Sequence, residues 1–123
     1  MGVAGLGRAF TLMLPTFLRE TRVRLVAATD PQSDAVAQFV RDFGGVGHPD
    51  FAALCADPGV DVIYVATPHQ LHAEHTCAAL AAGKHVVVDK PFTITLHEAR
   101  QVIANATRAQ RLVSVFQNRR WDG

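Results

Sequence analysis

Short runs of β-branched and other apolar residues alternate with longer alanine-rich stretches along the whole chain. The clearest run covers residues 61–67 (Asp-Val-Ile-Tyr-Val-Ala-Thr), and 85–88 is another. These runs are nearly continuous rather than alternating with polar residues, which indicates strands covered on both faces of a sheet. Alternation of this kind predicts an α/β fold, a doubly wound parallel sheet with right-handed crossovers. The predicted strands cover residues 1–4, 23–29, 46–48, 61–67, 85–88 and 112–117, and the predicted helices 6–18, 31–43, 50–56, 70–82 and 95–109.

Turn and capping residues mark the helix ends. Pro31 suits the first turn of the second helix, and the glycines at 44–45 end it. Asp50 is a side-chain cap for the third helix, and Gly83 stops the fourth. Residues 95–98 (Thr-Leu-His-Glu) form a capping box, which predicts the start of the last helix.

Composition excludes several classes of protein. The chain has 123 residues, of which 49% are hydrophobic, enough for one domain with a real core. Its formal net charge of +1 gives no basic surplus for nucleic acid or a membrane surface. No apolar run is long enough to span a bilayer, and no signal peptide is visible. Cys55 and Cys77 show no CxxC spacing, so we expect a soluble, cytoplasmic protein.

A glycine-rich segment, residues 5–10 (Gly-Leu-Gly-Arg-Ala-Phe), follows the first predicted strand and opens a helix. In a dinucleotide site, Gly5 allows the tight turn and Gly7 lets the backbone approach the pyrophosphate. The N–H groups of the helix start, including the backbone of Arg8, then face the phosphates. Phe10 stands where this motif has its third small residue, so its side chain must turn away or the helix must sit further out. A GxG segment alone also fits an ordinary turn.

Asp30 follows the second predicted strand at about the 20-residue spacing from the glycine loop that the ribose-binding acid has. A carboxylate there accepts hydrogen bonds from the adenosine ribose hydroxyls and repels a 2′-phosphate. No arginine follows within residues 31–33 (Pro-Gln-Ser). These features favour NAD over NADP. The alternative is that Asp30 only caps the next helix.

Two further segments lie at the carboxyl ends of predicted strands, residues 67–72 (Thr-Pro-His-Gln-Leu-His) and 89–92 (Asp-Lys-Pro-Phe). With the glycine loop, and in this order, they resemble the Gfo/Idh/MocA family of oxidoreductases. The resemblance extends to the Asn-Arg-Arg-Trp segment at 118–121. It implies a Rossmann domain of about six strands over residues 1–118, with residues 119–123 starting a junction to a second, α+β substrate domain.

The resemblance also implies roles for individual residues. Lys90 matches the catalytic lysine that reaches the nicotinamide and the substrate hydroxyl. His72 matches a histidine near the nicotinamide ribose, the second candidate catalytic residue. Thr67 and Pro68 match the segment that lines the dinucleotide. Pro91 matches a proline that often follows a cis peptide bond.

Two positions in the implied cofactor site depart from the family pattern. Asp89 stands in place of a glutamate, and its carboxylate is one methylene shorter. His69 stands in place of an asparagine and brings a titratable ring to the nicotinamide side. We include both residues among the candidate cofactor-binding residues.

The function that the resemblance implies is hydride transfer between a nicotinamide and a hydroxyl or keto group of a sugar, cyclitol, dihydrodiol or similar polyol. The Lys90 ammonium would stabilise the developing alkoxide and relay its proton. The substrate would be a small molecule, and the whole protein a homo-oligomer. This chain would supply the cofactor-binding half and turn over poorly alone.

Other interpretations stay open at this point. The chain could be a non-catalytic dinucleotide-binding or redox-sensing module, or part of an NAD-dependent glycosidase. The histidines at 69, 72 and 75, with Cys77 nearby, permit a metal site but lack a carboxylate on the same helix face, so we expect none. Arg119 and Arg120 next to Trp121 could suggest nucleic acid, but the near-neutral chain favours a domain junction.

Overall fold

The computed structural model describes residues 1–117, 119 and 120. Asn118 and Trp121 of the predicted junction segment lie outside the described residues. The strands are β1 (Gly2–Ala4), β2 (Ala27–Thr29), β3 (Val46–Gly47), β4 (Val62–Val65), β5 (His85–Asp89) and β6 (Val113–Phe116). The helices are α1 (Arg8–Arg19), α2 (Ser33–Phe43), α3 (Phe51–Ala56), α4 (His72–Ala81) and α5 (Leu96–Ala109), with a 3₁₀ turn at His69–Leu71 before α4.

The strands form one parallel sheet in the order β3-β2-β1-β4-β5-β6. This confirms the predicted doubly wound sheet, and the order is that of a Rossmann fold. The strand order changes direction between β1 and β4: the chain builds β2 and β3 on one side of β1, and β4 to β6 on the other. Ala4 of β1 accordingly pairs with Thr29 of β2 on one side and with Val65 of β4 on the other. In open sheets of this kind, ligands bind outside the carboxyl ends of the strands at that reversal.

Helices cover both faces of the sheet, and each face has its own buried cluster. Along β4, Ile63 and Val65 point into the cluster that also contains Leu80 of α4. Tyr64 points into the opposite cluster, with Phe10 of α1 and Phe39 of α2. Successive strand residues thus alternate between two cores, as continuous apolar strands predict. None of the helices in the described part of the chain is long and apolar enough to cross a membrane.

Most predicted caps form. The Asp50 carboxylate accepts a hydrogen bond from the Ala53 N–H at 2.8 Å. The Thr95 hydroxyl oxygen accepts one from the Glu98 N–H at 3.1 Å. Gly44 ends α2 with a φ of 68°, in the left-handed region that favours glycine.

Several predicted boundaries are wrong by two residues or more, including three in the first half of the chain. The strand predicted over 23–29 is only Ala27–Thr29, because β1 offers three residues to pair with it. The first helix begins at Arg8 rather than residue 6, because Gly5 has a φ of 93° and Gly7 is extended, with φ −81° and ψ −152°. The second begins at Ser33, so Pro31 precedes the helix rather than occupying its first turn.

Phe10, the departure in the glycine motif, is buried between α1 and α2. Its side chain is 7% exposed, and its ring centroid lies 6.1 Å from that of Phe39 and 6.4 Å from that of Phe17. It does not line the cleft above the glycine loop. The side chain therefore turns away from the loop and packs in an aromatic core, where its burial stabilises the α1–sheet contact.

We expect the Tyr64→Phe substitution to stabilise the chain. Tyr64 is 1% exposed, burial raises the pKa of its phenol, and its hydroxyl has no hydrogen-bond partner among the described residues. Removing a buried, unpaired hydroxyl should increase the free energy of unfolding by about 1 kcal/mol, raising the melting temperature by roughly 4 °C. Thermal denaturation followed by circular dichroism checks this, and a lower melting temperature would contradict it.

Candidate functional site

A cleft of about 660 Å³ opens at the carboxyl ends of β1, β2 and β4. It lies where the strand order reverses, the position at which a Rossmann sheet binds its ligand. Seven of the predicted site residues line it, namely Gly5, Gly7, Asp30, Thr67, Pro68, His69 and Asp89. The other four, Arg8, His72, Lys90 and Pro91, do not line this cleft.

The two glycines of the loop meet different demands. Gly5 has a φ of +93°, and a Cβ placed on it would lie 2.5 Å from the Ala66 carbonyl oxygen. Its N–H donates to the Thr29 carbonyl at 3.0 Å, so the turn packs closely between the end of β2 and the residue that follows β4. A Cβ placed on Gly7 would meet nothing within 4 Å. Gly5 is therefore needed by the fold, whereas Gly7 borders open space in the cleft.

The N-terminus of α1 faces the cleft without a side-chain cap. Gly7 is the capping residue and offers no side-chain acceptor, and the first turn of α1 contains no acidic residue. Gly7 and Ala9 both line the cleft. The first N–H groups of the helix and its positive dipole end are thus available to an anion.

Asp30 closes the glycine loop as well as lining the cleft. Its Oδ2 accepts a hydrogen bond from the Leu6 N–H at 2.7 Å, and its Oδ1 accepts one from the Gln32 N–H at 2.8 Å. A carboxylate has about four acceptor positions, so each oxygen can still accept a hydroxyl hydrogen. The two backbone bonds fix the carboxylate at the edge of the cleft.

Phe51 and His75 form an aromatic wall that the sequence did not predict. Their ring centroids lie 4.1 Å apart with an interplanar angle of 19°. His75 Nδ1 lies 2.9 Å from the Thr67 hydroxyl oxygen, and burial lowers the pKa of the imidazole. Leu71 precedes His75 by one helical turn and also lines the cleft. Leu71 and His75 are four residues apart directly after a predicted strand, and this spacing could have placed both side chains on the face towards the cleft.

His72, which was predicted near the nicotinamide ribose, is buried and does not line the cleft. The side chain is 1% exposed. Its Nδ1 lies 2.7 Å from the Pro91 carbonyl oxygen, and its Nε2 lies 2.9 Å from the Thr67 carbonyl oxygen. Both neighbours are acceptors, so a neutral imidazole, with its single N–H, donates to one of them, and only an imidazolium donates to both. His72 joins the loop after β4 to the loop after β5.

Lys90 and Arg8 line a second cavity, of about 860 Å³, which we call the cationic cavity. Its described lining residues are Arg8, Leu12, Lys90, Gln117, Arg119 and Arg120. Asp89, which precedes Lys90, lines the first cleft, so consecutive residues border the two spaces. The Lys90–Pro91 peptide bond is cis, as the family resemblance implies.

Neither cysteine is exposed: Cys55 is buried and Cys77 is half-buried. Among the described residues, no group of three potential ligands comes together to hold a metal ion. Burial raises the pKa of the Cys55 thiol to about 11. Cys77 Sγ lies 3.4 Å from Asn105 Nδ2, and burial raises the pKa of that thiol as well. Both thiols are therefore protonated at neutral pH.

Residues 1–117 match the family described as "Oxidoreductase family, NAD-binding Rossmann fold" (GFO_IDH_MocA). The chain belongs to the Gfo/Idh/MocA family. The match covers every strand of the sheet and the three segments that carry the resemblance. The fold and the family predicted from the sequence are both confirmed.

Named members of the Gfo/Idh/MocA family are similar along nearly the whole chain. The 1-carboxy-3-chloro-3,4-dihydroxycyclohexa-1,5-diene dehydrogenase of Comamonas testosteroni is 47% identical, over 99% of this chain and 31% of its own length. A solved structure of the WlbA dehydrogenase of Chromobacterium violaceum, with NADH and UDP-GlcNAcA, is 25% identical with a TM-score of 0.90. The alignment covers 97% of this chain and 35% of that one.

A third relative binds the other nicotinamide cofactor. The 3-ketoreductase KijD10 of Actinomadura kijaniata, solved with NADP and TDP-benzene, is 33% identical with a TM-score of 0.87. The alignment covers 94% of this chain and 36% of that one. The chain thus spans about a third of the length of these relatives, and it corresponds to the part of the Gfo/Idh/MocA family that binds NAD(P).

Proposed function

We propose that this chain is the cofactor-binding half of an NAD-dependent oxidoreductase. The protein would transfer a hydride between the nicotinamide and a hydroxyl or keto group of a sugar, cyclitol, dihydrodiol or similar polyol. The observation that carries the proposal is the pairing of Asp30 with the glycine loop. The carboxylate is bound to the loop backbone at 2.7 Å and lies in the same cleft as the uncapped start of α1.

The cleft residues fit the three parts of a dinucleotide. The Asp30 carboxylate would accept hydrogen bonds from the adenosine ribose hydroxyls. The stacked rings of Phe51 and His75 would pack against the adenine. The backbone at Gly7 and the N-terminus of α1 would take the pyrophosphate. The nicotinamide half would extend towards Thr67 and Asp89. When bound, the nicotinamide supplies the hydride acceptor, and the protein supplies orientation and electrostatics.

Lys90 is the residue of this chain that we assign to the substrate. Its side chain lines the cationic cavity beside the cleft, next to Asp89. An ammonium at that border can donate to a substrate oxygen and stabilise the charge that develops when the hydroxyl proton leaves. The name of the Comamonas relative, a dihydroxycyclohexadiene dehydrogenase, supports a ring hydroxyl as the reacting group.

The carboxylate of Asp30 predicts a preference for NADH over NADPH. It would lie against the 2′-phosphate of NADPH, and residues 31–33 provide no cation to offset that repulsion. We expect the chain to bind NADH at least about tenfold more tightly than NADPH, a difference of about 1.4 kcal/mol. Calorimetric titration with each cofactor measures the ratio.

The Asp30→Asn variant tests the origin of that preference. The Leu6 and Gln32 N–H groups bind different carboxylate oxygens, and an amide keeps only one of the two, so NADH should bind more weakly and the ratio should fall towards one. Asp34→Asn, at an exposed position in the first turn of α2, is the matched control and should keep the ratio. Tighter binding of NADPH by the parent chain would overturn the role of Asp30.

A further inference from the structure

The strand order places one end of the dinucleotide cleft at β3. From β1 the sheet continues through β2 to β3 on one side, so at about 4.8 Å per strand the end of β3 lies roughly 10 Å from the end of β1. Asp30 follows β2, Asp50 lies in the loop after β3, and both line the cleft. A dinucleotide with its pyrophosphate at the glycine loop and its ribose at Asp30 therefore brings its adenine towards Asp50.

Three contacts hold the loop that carries Asp50. The His48 N–H donates to the Ala28 carbonyl at 2.8 Å, and the Thr29 hydroxyl donates to the His48 carbonyl at 3.0 Å. The imidazole Nε2 of His48 lies 2.7 Å from Oδ2 of Asp57, in the turn after α3. These contacts join the loop to β2 and to the far end of α3, so the groups that it presents to the cleft are positioned in advance.

The Asp50 carboxylate keeps one oxygen for a ligand. Its Oδ1 accepts the hydrogen bond from the Ala53 N–H at 2.8 Å, and its Oδ2 accepts none from the described residues. No lysine or arginine of the described residues lines the cleft, so the protein offers this oxygen no cation there. Because an ionised carboxylate only accepts hydrogen bonds, the ligand group that faces it has to be a donor.

The adenosine half of a dinucleotide offers few such donors. The ribose hydroxyls are assigned to Asp30 in the proposed function, and the only N–H donor of the adenine base is its 6-amino group. Phe51 follows Asp50 directly in the chain, and its ring, with that of His75, would pack against the face of the base. The amino group lies in the plane of the base, at its edge, where the neighbouring Asp50 oxygen can accept from it.

We propose that Asp50 is a specificity-determining residue, which accepts a hydrogen bond from the 6-amino group of the adenine through Oδ2. This inference rests on the proposed function and deepens it, because it names the protein group that selects adenine over a base with an oxygen at position 6. A carboxylate that faces a carbonyl oxygen loses the hydrogen bond and meets a second acceptor, which weakens binding.

Deamino-NADH is the probe for this contact. Hypoxanthine replaces adenine in it, so a carbonyl oxygen stands in place of the amino group, and the riboses, pyrophosphate and nicotinamide are unchanged. We expect calorimetric titration of the chain to give binding of NADH about tenfold tighter than binding of deamino-NADH.

The Asp50→Asn variant separates the base contact from the helix cap. Asparagine caps a helix as well as aspartate does, so the melting temperature should stay within about 2 °C of that of the parent. With its oxygen held by the Ala53 N–H, the amide turns its N–H groups to the base and donates to a carbonyl oxygen instead. The preference for NADH over deamino-NADH should therefore fall to one or below.

Two further variants complete the test. Asp50→Ser keeps a capping oxygen but has no second polar atom, so its preference for NADH should fall to about twofold or less. Asp42→Asn, at an exposed position near the end of α2 and outside the cleft, is the matched control and should keep the preference of the parent chain.

Equal affinities of the parent chain for NADH and deamino-NADH would overturn the inference while leaving the proposed function intact. An unchanged preference in both Asp50 variants would do the same, because the selection would then come from another group. Absence of binding of either cofactor to the folded parent chain would instead overturn the proposed function, and the role of Asp50 with it.

Discussion

Replacing Gly7 by alanine is expected to weaken NADH binding at least about tenfold, a loss of about 1.4 kcal/mol, without destabilising the fold. A Cβ at Gly7 meets no protein atom within 4 Å, so the folded chain accepts it. The methyl group would occupy cleft space at the start of α1, where a phosphate must approach the backbone closely. Calorimetry with NADH and thermal denaturation of the same preparation measure both effects.

Gly5→Ala is the contrasting variant. Its Cβ would lie 2.5 Å from the Ala66 carbonyl oxygen, at a φ of +93° that non-glycine residues rarely adopt. Backbone strain of this kind costs about 1–3 kcal/mol, and the clash adds to it, so the melting temperature should fall by roughly 4–12 °C or more. The Gly7 variant should stay within about 2 °C of the parent. Equal melting temperatures for the two variants, or full NADH affinity in Gly7→Ala, would contradict this division of roles.

The His72→Phe substitution is expected to weaken the binding of NADH but not the binding of ADP. A phenyl ring fills much of the imidazole space but has no N–H, so the hydrogen bond that His72 donates to the Thr67 or Pro91 carbonyl is lost. Leaving a buried carbonyl without its donor costs about 1–3 kcal/mol, so the free energy of unfolding should fall by about that amount. Below the melting transition, the affinity for NADH should fall about tenfold, whereas that for ADP should stay within about twofold.

The comparison of NADH with ADP makes this test specific. ADP probes the Asp30 and α1 side of the cleft, which His72 does not touch, and NADH also needs the loops after β4 and β5. His97→Phe, at an exposed position in α5, is the control and should leave both affinities unchanged. An equal loss of affinity for both ligands would mean that His72 only supports the fold. Undiminished NADH affinity would mean that the two loops hold their positions without it.

The sheet could be predicted from the sequence because its strands are nearly continuous apolar runs. The apolar runs at 62–65 and 86–88 are typical of strands in a parallel sheet that helices cover on both faces. The glycine loop could be predicted equally well, because Gly5 and Gly7 lie between a predicted strand and a predicted helix. The length of β2 was not, because it depends on how many residues of β1 remain to pair with it.

The parts of the site that escaped prediction depend on contacts between distant segments. The bond from the Leu6 N–H to Asp30 joins residues 24 positions apart, and the stack of Phe51 on His75 joins α3 to α4. His72 carries the motif histidine, but its burial depends on the loop after β5 folding beneath the cleft. Motif spacing identifies which residues meet at the sheet edge and does not determine which side chains face the ligand.

Calorimetric titration of this chain with NADH tests the central claim most directly. The cleft at the end of β1, with Asp30 bound to the glycine loop and an uncapped α1, predicts saturable binding of one NADH per chain. Because Gly7 borders open cleft space, the same titration should be clearly weaker for Gly7→Ala. A folded parent chain that binds no NADH at concentrations of about 1 mM, or that binds it equally well with alanine at position 7, would contradict the account.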